Sequence, residues 1–153
     1  MLCIALCLAG CHDMNTSAPE TQTQPETENR KEEVDMSKLI LKIDDKVIDV
    51  MWEENESVSS LKELCSKEEL EIHSSIYGGF EQVGSIGQSL PRNDSQTVTS
   101  PGDIVLYSGD QIVVFFGSNS WAYTRLGKIT GVSDEEIETL LNKDSVVLTL
   151  KCE

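Results

Sequence analysis

Pro101-Gly-Asp-Ile-Val-Leu-Tyr107, Ser108-Gly-Asp110 and Gln111-Ile-Val-Val-Phe-Phe116 follow one another through the middle of the 153-residue chain. Residues 104–107 and 112–116 are continuous apolar runs, rich in β-branched and aromatic side chains and too short for helices. They read as strands buried on both faces. Gly109-Asp110 supplies the turn of a hairpin between them, and Pro101-Gly102 reads as a type II turn, with glycine where a positive φ is needed. The surroundings agree. Nine of the ten glycines fall between Gly78 and Gly131, and seven of the eight aromatic residues lie between Tyr77 and Tyr123. Turns at that density, with aromatics among them, describe a β barrel or sandwich whose core lies in the centre of the chain.

Working outward, residues 38–43 and 47–52 are β-branched runs either side of Asp44-Asp45-Lys46 and read as a hairpin that opens the domain. Asn55 can cap a following helix, in which Val58, Leu61, Leu64 and Cys65 recur at helical spacing while Glu56, Lys62, Glu63 and Lys67 stay outside. Residues 69–73 alternate as a half-buried strand. Near the end, Ser133 and Glu136 have capping-box spacing for a second helix over 134–141, and residues 145–151 form a closing strand. No internal repeat is visible, and the length suits one domain with a buried core plus appendages.

Five motifs in this order carry a resemblance: Tyr77-Gly-Gly-Phe-Glu-Gln-Val-Gly84, Ser89-Leu-Pro91, Pro101-Gly-Asp-Ile-Val-Leu-Tyr107, Gln111-Ile-Val-Val-Phe115 and Gly117-Ser-Asn-Ser-Trp-Ala-Tyr-Thr-Arg-Leu-Gly127. Together they resemble the small bacterial cyclophilin-like proteins, over essentially residues 38–153. The resemblance implies a mainly β fold, a closed cyclophilin-like β-barrel with two short helices. It supplies a fold and not a reaction.

The N-terminus runs Met1-Leu-Cys-Ile-Ala-Leu-Cys-Leu-Ala-Gly-Cys11, too short to span a bilayer but suited to the apolar region of a signal peptide. Its end, Leu8-Ala-Gly-Cys11, resembles the lipobox of bacterial lipoproteins, in which the cysteine becomes the lipid-modified mature N-terminus. Residues 1–11 are therefore expected to be a lipoprotein signal, with Cys11 lipidated and the protein held outside the cytoplasm at the bacterial cell envelope. Such signals open with Lys or Arg, whereas the first basic residue here is Arg30, so the start of translation is expected upstream. Residues 12–37 have no apolar periodicity and carry seven acidic residues against Arg30 and Lys31. They are expected to be a disordered acidic tether, which with about 26 residues would hold a domain on the order of 25–30 Å from the lipid.

Twelve Lys and Arg against 27 Asp and Glu give a net charge of −15, of which −10 belongs to residues 38–153. That balance excludes nucleic acid as a partner and disfavours anionic lipid surfaces. Beyond Cys11 the cysteines are Cys65 and Cys152, without a C-x-x-C, and they read as free thiols more readily than as a bridge.

Two stretches could carry chemistry. Strand alternation from Asn119 to Leu126 places Trp121, Tyr123 and Arg125 on one face, either as a ligand platform with a stacking surface, a phenol and a cation able to grip a carboxylate or a peptide carbonyl, or as two core aromatics with Arg125 emerging at the strand end. Tyr77-Gly-Gly-Phe-Glu81 is the second candidate, since paired glycines permit close backbone approach and bring Tyr77, Phe80 and Glu81 near the barrel mouth. No nucleophile can be assigned, and no metal ligand set, because His73 has no second His or Cys at ligand spacing. No cofactor is expected. The expected function is a ligand- or protein-binding module for a peptide, a small molecule such as an anionic metabolite, or an envelope protein. A divergent peptidyl-prolyl isomerase is the alternative, although the Phe-His-Arg strand and Gln-Gly-Gly-Asp loop of true cyclophilins have no counterpart here. A different enzyme on the same fold would need Asp103, Glu81 and Arg125 to converge within about 4–6 Å.

Overall fold

The computed structural model describes residues 37–153, so the expected signal, lipidation site at Cys11 and tether up to residue 36 lie outside the described residues. Ten strands and two helices follow in the order β1 (Leu39–Ile43), β2 (Lys46–Ile48), β3 (Val50–Trp52), α1 (Glu56–Lys67), β4 (Leu70–Tyr77), β5 (Glu81–Ser85), β6 (Ser95–Val98), β7 (Asp103–Tyr107), β8 (Gln111–Phe115), β9 (Ser120–Ile129), α2 (Asp134–Leu141) and β10 (Ser145–Cys152). The mainly β barrel with two short helices is the architecture expected.

The opening hairpin is present only in its first half. Asp44 and Asp45 turn the chain at φ 46° and 68°, a conformation that short polar side chains tolerate better than most. The single strand expected over 47–52 breaks at Asp49, because β2 stays with β1 while β3 moves to β9. The Asp49 carbonyl accepts the Thr130 N–H at 2.8 Å at that corner. This break closes the barrel. The sheet runs β2-β1-β10-β4-β5-β8-β7-β9-β3, with β6 paired to β9 off the path. Its two end strands are consecutive in the chain, and the Trp52 indole N–H, donated to the Leu39 carbonyl at 2.9 Å, ties β3 to β1 across the seam.

β4 extends four residues beyond the expected strand, to Tyr77. Alternation fades at Ser74, yet that hydroxyl is buried and donates to the Val146 carbonyl at 2.9 Å and to Gln82 Oε1 at 3.1 Å. The Gln82 amide in turn donates to the carbonyls of Leu141 and Lys143 at 2.8 and 2.6 Å, fixing the end of α2 to the β4–β5 hairpin. Both helix caps read from sequence are present: Asn55 accepts from the Val58 N–H, and Ser133 and Glu136 exchange bonds across α2. The expected turn at 100–103 also holds, with Gly102 at φ 89° and the Asp103 N–H on the Ser100 carbonyl at 3.0 Å.

Leu41, Ile43, Ile72, Ile104, Leu106, Ile112, Val114, Leu126, Leu148 and Leu150 fill the barrel, and α1 and α2 cover it with Val58, Leu61, Cys65, Ile137 and Leu141. A second cluster of Val105, Val113, Phe115 and Tyr123, with Phe80 and Val83 against it, occupies the opposite face of the same strands. This outer layer is why β7 and β8 are buried on both faces. Cys65 and Cys152 are free thiols, and burial, with Cys152 nearby, pushes the Cys65 thiol up to about 12.

Candidate functional site

The β4–β5 hairpin places the first functional groups. Tyr77 pairs with Glu81 across the loop Gly78-Gly79-Phe80, in which both glycines take positive φ. The tip is pinned to the end of β8, where the Phe80 carbonyl accepts the N–H groups of Phe116 and Gly117 at 3.0 and 2.9 Å. The approach is so close that a Cβ on Gly117 would lie 2.6 Å from that of Phe80. Phe80 therefore spends its side chain in the outer apolar cluster, and it stands outside the cleft next to it.

Antiparallel pairing puts directly opposed residues on one face. The pairs Glu81 with Phe115, Val83 with Val113, Val105 with Val113 and Tyr107 with Gln111 bring the outward side chains of β5, β8 and β7 together. β9 adds Trp121 and Tyr123. The result is a cleft of about 400 Å³ on the outer wall, not at the barrel mouth where it was expected. Val83 and Val113 lie in it, Tyr77, Tyr107, Trp121 and Tyr123 supply aromatic walls, and Glu81, Gln111 and Asn119 supply polar groups. Tyr77 and Trp121 are 68% and 57% exposed, large aromatic surfaces left to water.

Glu81 is the chemical centre. It is 5% exposed, and its buried Oε2 has no hydrogen-bond partner. Removal from water, with no bond to compensate it, disfavours the carboxylate and pushes the group up to about 7. Tyr123 packs edge-on against Phe115 and Tyr107, with ring centroids 5.7 and 6.0 Å away. Its hydroxyl accepts a bond from Asn119 Nδ2 at 2.9 Å. Asn119 cannot turn over, because its Oδ1 accepts the Ser120 N–H at 2.8 Å. Accepting that bond leaves the Tyr123 O–H available as a donor. Burial, then the Glu81 charge, raise the phenol against the opposing effect of Asn119.

Of the residues expected from sequence, Tyr77, Glu81, Trp121 and Tyr123 share this cleft, and Arg125 does not. A register shift between Ile104 and Val105 leaves Leu126 as an extra residue in β9. The Arg125 guanidinium reaches Asp103 at 3.5 Å, beside Lys128 on the same carboxylate at 3.0 Å. The Arg125 carbonyl accepts the Asn55 amide at 2.8 Å, so this residue also seats the cap of α1. Asp103 and Arg125 thus meet each other and neither lines the cleft with Glu81, which leaves the third, enzymatic constellation unassembled. His73 is exposed and faces Glu71 at 3.1 Å. Among the described residues no three His, Cys, Asp or Glu side chains gather as metal ligands.

Tyr107, Gln111 and Asn119 escaped the sequence reading. A signal existed: two strands buried on both faces require a cover on the outside, and Tyr107 and Gln111 end that outer face with a polar aromatic and an amide. Neither the curated proteins nor the solved structures contain a match to this chain. The model of the cyclophilin-like family matches residues 41–151, every element from β1 to β10 in part or whole, and the chain belongs to that family.

Proposed function

We propose that this protein is a ligand-binding module, held at the bacterial cell envelope by lipid on Cys11, and that the outer-wall cleft is its binding site. The carrying observation is a buried carboxyl without a partner beneath exposed aromatic rings. Unpaired buried polar groups are destabilising and uncommon, and they recur where a ligand supplies the missing bond. The lipobox-like Leu8-Ala-Gly-Cys11 supports the anchor. An isomerase reading has less to draw on, because the guanidinium such a mechanism uses at the proline nitrogen is absent from the cleft lining.

The test is an amide- and indole-detected NMR titration of the protein with a fragment set spanning cationic, neutral and anionic members. Bound fragments are expected to shift the Trp121 indole signal and leave that of Trp52, which is bonded to Leu39. Trp121→Ala should weaken those fragments by tenfold or more. A set in which no member moves the signals of residues 107, 111, 119 and 121 would overturn the binding role.

A further inference from the structure

Resting on the binding reading of the same cleft, we propose that its ligand carries an organic cation, an ammonium group that seats between the aromatic walls and pairs with Glu81, releasing a proton as it binds. The lining has one ionisable carboxyl and no Lys, Arg or His. Tyr77, Tyr107, Trp121 and Tyr123 line the cleft, and the negative quadrupoles of aromatic faces attract ammonium groups best where water is excluded. The cations of this wall are already committed, since Arg125 and Lys128 both hold Asp103. At longer range the −10 charge of residues 38–153 draws cations and repels anions. This replaces the anionic metabolite that Arg125 suggested.

Binding is coupled to protons because Glu81, pushed up to about 7 by burial, is largely protonated below neutrality. The groups that face it from the packed elements are the phenols of Tyr77 on β4, Tyr107 on β7 and Tyr123 on β9. β8 contributes Gln111, Val113 and Phe115, and the loop before β9 contributes Asn119; none of these titrates. Burial and the Glu81 charge hold the Tyr123 phenol above its ordinary value, and Glu81 is the cleft group that burial brings to neutrality. An incoming ammonium pairs with the carboxylate, and the carboxyl proton leaves to solvent.

The experiment is isothermal titration with three probes of equal bulk and different charge: choline, 3,3-dimethylbutan-1-ol and 3,3-dimethylbutanoate. Acetyl-Gly-Lys-Gly-amide and its norleucine counterpart form a second arm, and whichever cation binds more tightly names a free or a side-chain ammonium as the source. The expected result is a cation at least tenfold tighter than its neutral partner, weakening about tenfold per pH unit below 7 and constant above 8. At pH 6.5 the binding heat should change with buffer ionisation enthalpy, as proton release requires. Glu81→Gln should remove the charge preference and the pH dependence together. Equal affinity for the neutral probe, preference for the anion, or pH-independent binding would overturn the cation inference and leave the binding role standing. Silence from all probes and from the fragment set would end both.

Discussion

A carboxyl taken out of water without a partner is more stable protonated, and this makes Glu81 a lever on folding as well as on binding. Its folded value of about 7 lies above the ordinary 4.5. The stability it contributes is therefore fully present below pH 4.5, falls as pH rises, and is gone once pH exceeds about 7. The shift corresponds to no more than about 3.5 kcal/mol. Glu81→Gln copies the protonated form and cannot ionise. Urea unfolding of both proteins at pH 4.5, 6 and 8 should show near-equal stability at pH 4.5 and the variant ahead at pH 8. Parallel profiles would mean that Glu81 ionises freely in the folded state. Arg125 gives the converse case: Arg125→Ala is expected to lower stability by about 0.5–2 kcal/mol, since buried Asp103 loses one of its two cations and keeps Lys128 and the Ser100 N–H. Choline binding should not change, and a loss of it would return Arg125 to the site.

At the scale of elements, the cleft depends on where the β4–β5 hairpin sits, and Gly117 decides that. Gly117→Ala would drive a methyl group into Phe80 and lift the tip that carries Tyr77 and Glu81. We expect a cost of about 1–3 kcal/mol, together with weaker choline binding. Ser133→Ala makes the contrast, because it removes one partner of the α2 capping box and should cost about 1 kcal/mol with binding untouched. If both variants bind alike, hairpin placement does not control the site. The caps, the 100–103 turn and the two central strands were legible because each follows from local rules of spacing and conformation. The break at Asp49 was not, since it serves closure with β9, a partner some 75 positions away. The end of β4 was hidden by Ser74 and Gln82, polar residues buried through bonds that only the tertiary structure supplies. Arg125 was misplaced for a related reason, as strand alternation gives a side chain's face and not the carboxylate that captures it.

For the whole molecule, the filled barrel and the outer cleft are separate layers of the same strands, so a ligand can enter without opening the core. The family and barrel were readable from motif order, whereas the cleft required the register that sets β5, β7, β8 and β9 side by side. Charge then bears on localisation. Residues 38–153 carry −10 and residues 12–37 a further −5, so an anionic membrane surface repels the protein. On the proposed anchoring at Cys11, attachment would come from acyl chains, and two chains on one cysteine would suffice where a single chain binds only marginally. Expressed in a bacterium from its chromosomal context, the protein should stay in the membrane fraction through a 1 M salt wash and leave it only with detergent. Cys11→Ser should move it to the soluble fraction and abolish incorporation of a fatty-acid label. Release of the unaltered protein by salt, or retention of the Cys11→Ser variant, would show that something other than lipid on Cys11 holds it, while the cleft and its cation chemistry would stand unaffected.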